Sequence, residues 1–558
     1  MKISLKKWVA TGSPWVWLNA GAVAISVVLV LGLLGVIASR GLVHFWPTSL
    51  QEYQFTDSQG AQMTVLGERV QREQVTAEQI RNAGLPVPEG VEILDRQLIK
   101  VGNREVYGSD FRWVLEHQLS DLDYPKNAVA LERREWGNFY GYIMGIKENG
   151  ELIAEQTQAE NQLWDEVLRR AERATAIYQK IKDLESGAIG AINYKLEQLR
   201  LEERSLQLNG HDTPQNMAEL QAEKTILQAE YATEEAELMA LYTPFKRDIL
   251  LLETADGQQK EVNFSEVVRL YQPNSLSLLE KIQHYILKLV EFVSDDPREA
   301  NTEGGIFPAI FGTVLMVMIM SLIVTPFGVI AAVYLREYAS QGVITRIIRI
   351  AVNNLAGVPS IVYGVFGLGF FVYFLGGNLD QLFYAPALPS PTFGTPGLLW
   401  ASLTLALLTL PVVIVATEEG LSRIPRSVRE GSLALGATKF ETLMRVVIPM
   451  ASPAMMTGVI LAVARAAGEV APLMLVGVVK LAPNLPLDMN APFLHLERKF
   501  MHLGFHIYDV GFQSPNVEAA RPLVYATALM LVVVIAVLNL TAISIRNRLR
   551  EKYRALDM

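Results

Sequence analysis

The sequence runs to 558 residues, of which 50% are hydrophobic and only 19% charged, with a mean hydropathy of +0.23. That balance is too apolar for a disordered chain or an ordinary soluble enzyme, and the length exceeds one compact domain. The absence of cysteine excludes disulfide scaffolds, thiolate metal sites, iron–sulfur clusters and cysteine nucleophiles. The net charge of −9 hides an asymmetry, because residues 47–303 are strongly acidic while the remainder is basic and apolar. The composition describes a membrane protein carrying a soluble insert.

Taken in chain order, residues 1–46 hold a basic N-terminus (Lys2, Lys6, Lys7) and a charge-free stretch at 11–39. A helix needs about 20 apolar residues to cross a bilayer. This run is longer than a signal-peptide core and no small-x-small cleavage site follows, so a retained first span is expected. Five more spans are expected within a permease-like region, 304–545, at 304–335, 350–375, 397–417, 453–479 and 522–545, followed by a basic tail at 546–558. Short loops rich in Lys and Arg mark the cytoplasmic side. Arg336, Arg346 and Arg349 form one such group; Arg423, Arg426, Arg429, Lys439 and Arg445 form a second; Arg546, Arg548, Arg550, Lys552 and Arg554 form a third. Both termini are therefore expected in the cytoplasm, with the insert outside.

Within the insert at 47–303, segments 51–150 and 245–272 carry short alternating runs with turn residues between them. QLIKVGNREVYG and DILLLETADGQQKEVNF each read as β-hairpins. Residues 151–242 change to a Glu, Gln, Leu, Ala, Lys and Arg composition, interrupted at LNGHDTPQN. Two long antiparallel helices resembling a coiled coil are expected there, with Gly187 and Gly190 as possible interruptions. Such a hairpin serves either as a solvated spacer or as a docking arm for an external partner. Residues 276–293 form an amphipathic helix that lies in the membrane interface or in the core of the insert. The fold class expected is an all-α polytopic membrane protein of six transmembrane helices with an α+β extracytoplasmic insert.

The loop at 418–450 reads as a basic amphipathic helix, a break at Gly436 and Ala437, a second helix and Pro449. A structured elbow between two spans is a lever for both. Its Glu430, Gly431, Ser432, Gly436, Val446, Ile448 and Pro449 have the spacing of the EAA loop, and the segment resembles that of ABC-importer permeases. Gly-Ser replaces the usual Ala-Ala, which keeps the residues small but lowers helix propensity. NNLAGVPSIVYGVFGLG at 353–369 and ILAVARAAGEVAPLMLVG at 460–477 are similar to phosphate-importer permeases of the PstA type. The resemblance covers the last five spans and not the large insert. It implies a bacterial inner-membrane subunit that conducts phosphate with a PstC-type permease, a PstB-type ATPase dimer and a PstS-type phosphate-binding protein. The loop would dock on the ATPase. No nucleic-acid partner is expected.

Arg465 and Glu469, four residues apart, are expected to pair inside the fifth span. The pair is either a self-neutralised structural element or a guanidinium fork for phosphate held in place by the carboxylate. Asn353, Asn354 and Ser360 supply polar groups beside Gly357 and Pro359, which permit a helix opening. They either line the pathway or bond span to span. Pro326 and Pro472 read as kinks. His495, His502 and His506 near Glu497 lack a metalloprotease frame and read as ordinary interfacial histidines. No G-x-x-x-x-G-K-[ST] motif occurs, so no ATP cofactor is expected on this chain and no enzyme activity of its own; hydrolysis belongs to the ATPase subunit. A permease for molybdate or sulfate, and a membrane scaffold or signalling component, are the competing readings.

Overall fold

A computed structural model describes residues 10–57, 60–82, 84, 87, 90–155, 160–514 and 517–553. The basic group Lys2, Lys6 and Lys7 and the end of the tail, including Arg554, lie outside the described residues.

Helix α1, Ser13–Val43, starts behind a left-handed Gly12 with Pro14 in its first turn. Nearly all its side chains are exposed, and only Gly41 is buried. A Cβ on Gly41 would stand 2.9 Å from the Cα of Ala526, so α1 crosses the last helix by direct backbone approach, the usual device of membrane helices.

Among the described residues, the insert contains two large antiparallel sheets and a short two-stranded pairing of Pro297–Arg298 with Glu303–Gly304. Strands β1 Leu50–Thr56, β2 Gln62–Thr76, β3 Ile93–Lys100, β4 Phe111–Leu115 and β5 Leu119–Asp123 are ordered β4-β3-β2-β1-β5. Strands β6 Val129–Arg133, β7 Phe139–Glu148, β8 Glu151–Glu155, β9 Asp248–Glu253, β10 Gln259–Asn263 and β11 Val267–Tyr271 form the second, ordered β10-β9-β7-β6-β11, with β8 on β7. DILLLETADGQQKEVNF forms the β9–β10 hairpin around Gly257, whose φ is 84°. QLIKVGNREVYG differs from the expectation, because Arg104–Tyr107 is a single helical turn and the partner of β3 is β4. The Asn103 side chain causes this: it bonds the Tyr140 carbonyl at 2.8 Å and the Tyr140 amide at 2.9 Å, fixing a left-handed residue at the turn's start.

Between β8 and β9 the chain makes a long helical excursion. It comprises α2 Glu160–Leu184, a π-helical segment Glu185–Ile189, α3 Gly190–Asn209 and the returning α4 Pro214–Phe245. Gly187 and Gly190 widen the helix into the π turn without breaking it. Gly210, at φ 68°, ends α3, and Thr213 caps α4. Leu163, Val167, Ala174 and Ile181 of α2 share a core with Ile146, Leu250 and Leu252 of the second sheet and with Phe264 in the turn between β10 and β11. Farther out, Ile192, Leu199 and Leu227 make a thin seam. Tyr194 of α3 donates to the carbonyl of Ala491 and its ring meets His495 edge-on at 6.0 Å, so the excursion leans on a distant loop. Helix α5, Leu278–Ser294, follows the second sheet behind a Ser277–Glu280 capping box.

Among the described residues, six helices are long and apolar enough to cross a membrane. After α1 they are α6 Phe307–Tyr338, α8 Ser360–Phe383, α9 Leu398–Arg423, α11 Lys439–Gly468 and α12, which runs Val517–Tyr553. Helix α7, Val343–Leu355, precedes α8, and α10, Arg426–Ala434, precedes α11. Helix α9 is the most buried and packs Leu405, Leu408 and Val413 between Met316 and Met320 of α6 and Val459 and Ala462 of α11. Gly328 faces Val413, Gly420 faces Ala454 and Gly458 faces Ala416, each too close for a Cβ without movement. Two expected spans shift. The stretch at 350–375 divides into α7 and α8, because Pro359 has no amide hydrogen and holds Val358 out of helix. The stretch at 453–479 ends as a helix at Gly468, with Glu469 extended and Leu473–Val476 a separate turn. Pro326 lies inside a continuous α6, and Pro472 starts that short turn.

Candidate functional site

The discontinuity between α7 and α8 is built from residues 356–359. The Gly357 amide bonds the Asn354 carbonyl at 3.0 Å and the Val358 amide bonds Leu355 at 3.2 Å, which winds α7 to a close. The Tyr363 hydroxyl reaches back from α8 and donates to the same Leu355 carbonyl at 2.6 Å, a second hydrogen bond that ties α8 to the end of α7 across the break. The short turn Leu473–Val476 packs alongside: a Cβ on Gly364 would stand 2.7 Å from the Cα of Pro472.

Arg465 occupies the last turn of α11 and Glu469 is the first extended residue beyond it. Their separation is 3.5 Å (Nε to Oε1), with both side chains partly buried. The pair thus sits at a helix end and not in a helix interior, as the sequence suggested. Arg465 makes no hydrogen bond among the described residues, so its terminal nitrogens retain their donors. Its neighbours Val463, Ala466 and Ala467 share a packed cluster with Tyr363, and Pro472 abuts Gly364, so this end of α11 lies beside the α7–α8 break. Tyr363 was not singled out by the sequence.

The polar groups offered as pathway-lining or span-to-span residues lie as follows. Asn353 is exposed and lines a cavity of about 250 Å³ with Arg336, Arg349, Glu418 and Ser422, at the bundle end opposite the insert. Asn354 is also exposed, whereas Ser360 is half-buried at the first position of α8. Arg349 crosses to Glu418 at 2.6 Å and closes one side of that cavity.

At the same end lies the elbow between α9 and α11. Helix α10 ends at Ala434 with Leu435 as its cap, Gly436 turns at φ 86°, and Thr438 caps α11 in a capping box with Glu441. Arg429 holds the elbow. It donates to the carbonyls of Ile424 at 2.7 Å and Leu421 at 2.8 Å and pairs with Glu337 of α6 at 2.8 Å. The Glu337 carbonyl also accepts from Lys439, so one residue of α6 touches both arms. Ser432 bonds Thr442 at 2.9 Å across the elbow. Glu430, Gly431 and Gly436 are exposed, while Ala437, Val446, Ile448 and Pro449 are half-buried. Leu433, Leu435, Phe440 and Met444 are exposed, Leu435 at 91%, so the elbow presents an apolar surface that none of the described residues covers. The latch of Glu337 and Arg429 was legible only as a basic residue beside Glu430.

The three histidines are dispersed. His495 is buried between Asp488 at 3.0 Å and Glu497 at 3.1 Å, and the Nδ1 of His502 accepts from the Gly504 amide. No cluster of three metal-ligating residues occurs among the described residues.

Comparison with known proteins places this arrangement. Residues 324–555 match the family of binding-protein-dependent transport system inner membrane components. The phosphate transport system permease protein PstA 1 of Mycobacterium tuberculosis is 36% identical over 245 residues, 44% of this chain and 71% of that protein. The probable ABC transporter permease YqgI of Bacillus subtilis is 32% identical, covering 45% of this chain and 81% of that protein. A probable PstA of Methanocaldococcus jannaschii is 30% identical over 42% of this chain and 74% of that protein. These relatives align with only part of the chain, and the chain is longer than the region they share. With the five clustered helices, the elbow and these identities together, the chain belongs to the ABC-importer permease family of PstA-type phosphate permeases.

Proposed function

We propose that this chain is the phosphate-conducting permease subunit of an ATP-driven importer, working beside a PstC-type permease, a PstB-type ATPase dimer and a PstS-type binding protein. The observation that carries the reading is Arg465, a guanidinium with unused donors at a helix break inside the bundle. One such cation, moderated by Glu469, attracts a phosphate without trapping it. Both termini stand in the cytoplasm and the insert stands outside, in keeping with the Arg-rich elbow and tail. The exposed apolar elbow around Leu435 is the surface on which the ATPase seats. Glu430, Gly431, Ser432, Gly436, Ala437, Val446, Ile448 and Pro449 shape it, and closure of the ATPase moves α9, α11 and, through Glu337, α6. The chain binds no cofactor; ATP is held and hydrolysed by the partner. The helical excursion from α2 to α4 is a spacer standing over the outer loops.

The test is co-purification with a cytoplasmic ATPase followed by labelled-phosphate uptake in vesicles, with sulfate and molybdate as competitors. ATP-dependent uptake that neither competitor suppresses supports the reading. Suppression by sulfate or molybdate moves the substrate to another oxyanion, and uptake without a nucleotide-hydrolysing partner refutes the coupling.

A further inference from the structure

Helix α5 is inside out for a soluble protein. Lys281, His284, Lys288 and Glu291 lie on its inward face with Tyr285 and Phe292, while Leu279, Ile282, Ile286, Val290 and Val293 are exposed. Their spacings of three and four residues place these five on one helix face. The inward polar face is engaged. Lys288 pairs with Glu132 of β6, Arg269 of β11 reaches Glu291 at 2.9 Å, and Arg298 reaches it at 2.8 Å. The helix cannot turn its apolar face inward without breaking this network.

The height of α5 is set by membrane helices. Phe292 stands 4.9 Å from Phe45 and Tyr285 stands 5.9 Å from Trp46, the residues at which α1 leaves its span. At its other boundary the Ile306 amide bonds the Phe292 carbonyl at 2.8 Å, one residue before α6 begins. Aromatic residues at this position are those that settle at the lipid headgroup level. The exposed faces of α1 and α6 are apolar and long enough to cross a bilayer, and the free face of α5 is apolar beside them.

We infer that α5 is an in-plane membrane helix whose free face, Leu279, Ile282, Ile286, Val290 and Val293, is seated in the lipid of the outer leaflet. Charged side chains direct it upward into the β sheet and aliphatic ones downward, so the bilayer surface itself fixes the tilt of the insert. Helices of this kind sink about 5–10 Å into the headgroup and acyl boundary. The inference rests on the membrane helices and is independent of the substrate.

The cysteine-free chain allows a direct test. Single cysteines replace Leu279, Ile282, Ile286, Val290 and Val293 in the full-length protein, with Glu219→Cys on α4 as a reference. Each variant is spin-labelled in vesicles of phosphatidylethanolamine and phosphatidylglycerol, and collisions with oxygen and with a nickel chelate are compared. The five α5 sites are expected to favour oxygen several-fold relative to the nickel chelate, and Glu219→Cys to show the reverse. Nickel access at the α5 sites equal to that at the reference overturns the proposal. Exclusion of both reagents also overturns it, since a protein partner then covers the face.

Discussion

The contact of Glu337 with Arg429 carries a prediction whose size follows from the geometry. Both side chains are mostly buried, at 12% and 19% exposure, and the arginine also binds two carbonyls. Arg429→Ala leaves the Glu337 carboxylate without its cation and two carbonyls without their donor. Removing one partner of a fully buried pair costs about 3–5 kcal/mol. With residual solvent screening the cost here is about 2–3 kcal/mol. At about 1.4 kcal/mol per tenfold, that changes the docked-to-undocked ratio of the elbow by roughly 30- to 150-fold. The loss is local, since α9 and α11 keep their own packing. Glu337→Gln keeps an acceptor and costs about 1 kcal/mol. The assay is hydrogen exchange across 424–438 in the assembled complex, read beside ATP-driven phosphate uptake. Faster exchange and a fall in uptake, larger for Arg429→Ala than for Glu337→Gln, are expected. Unchanged protection with unchanged uptake in Arg429→Ala would refute the role of α6 in coupling.

Arg465→Gln is expected to abolish uptake while the complex assembles normally; uptake at the parental rate in an assembled variant removes Arg465 from the pathway. Gly436→Val places a branched side chain at φ 86°, a strain of about 1–2 kcal/mol, and should lower phosphate moved per ATP hydrolysed. An unchanged ratio would show that the elbow accommodates it. Burial, aided by Arg269 and Lys288 and opposed by Glu132 and Glu291, lowers His284 to about 4. A histidine kept neutral this way contributes stability above about pH 6.5, and the contribution is lost as pH falls toward 4. Burial opposes the charge of Glu132, but Lys288 and Arg269 hold it down to about 2, so that carboxylate stays ionised through the window. Exchange at 278–294 should therefore rise between pH 6.5 and 4, and a flat profile contradicts the assignment. Replacing 195–226 by a short glycine-rich linker keeps Tyr194 and the buried base of α2, and uptake should persist if the excursion is a spacer. Loss of uptake by a folded variant would make it a docking arm.

Periodicity and charge made the division between insert and bundle readable, since a bilayer imposes long charge-free runs that nothing else requires. Pro359 and Gly357 announced the break before α8 because their backbone limits are local. Where charge-free runs were used to place helix ends, they failed. Gly468 and Glu469 end α11 because Pro472 has no amide hydrogen for the Gly468 carbonyl, a local signal that the charge-free run overrides. REVYG reads as strand by alternation, yet the bonds from Asn103 to Tyr140, 37 residues away, hold it as a helical turn. The grouping of Tyr363 with Arg465, and of Glu337 with Arg429, joins residues about a hundred positions apart. Local patterns carry no such pairing. Asn353 is readable as polar among apolar neighbours, but its grouping with Arg336, Arg349 and Glu418 joins three separate elements and leaves no local pattern.

Asn301, at the root of the insert, is 1% exposed and donates to the Lys480 carbonyl at 2.9 Å and to Asp509 at 3.1 Å. The outer connection between α11 and α12 is thereby riveted to the base of the insert. Helices α2 and α3 with the π segment between them extend about 75 Å at 1.5 Å per residue. Tyr194, part-way along that length, bonds Ala491 in the same connection, so a shift of the connection pulls on the base of the insert and on the middle of the excursion together.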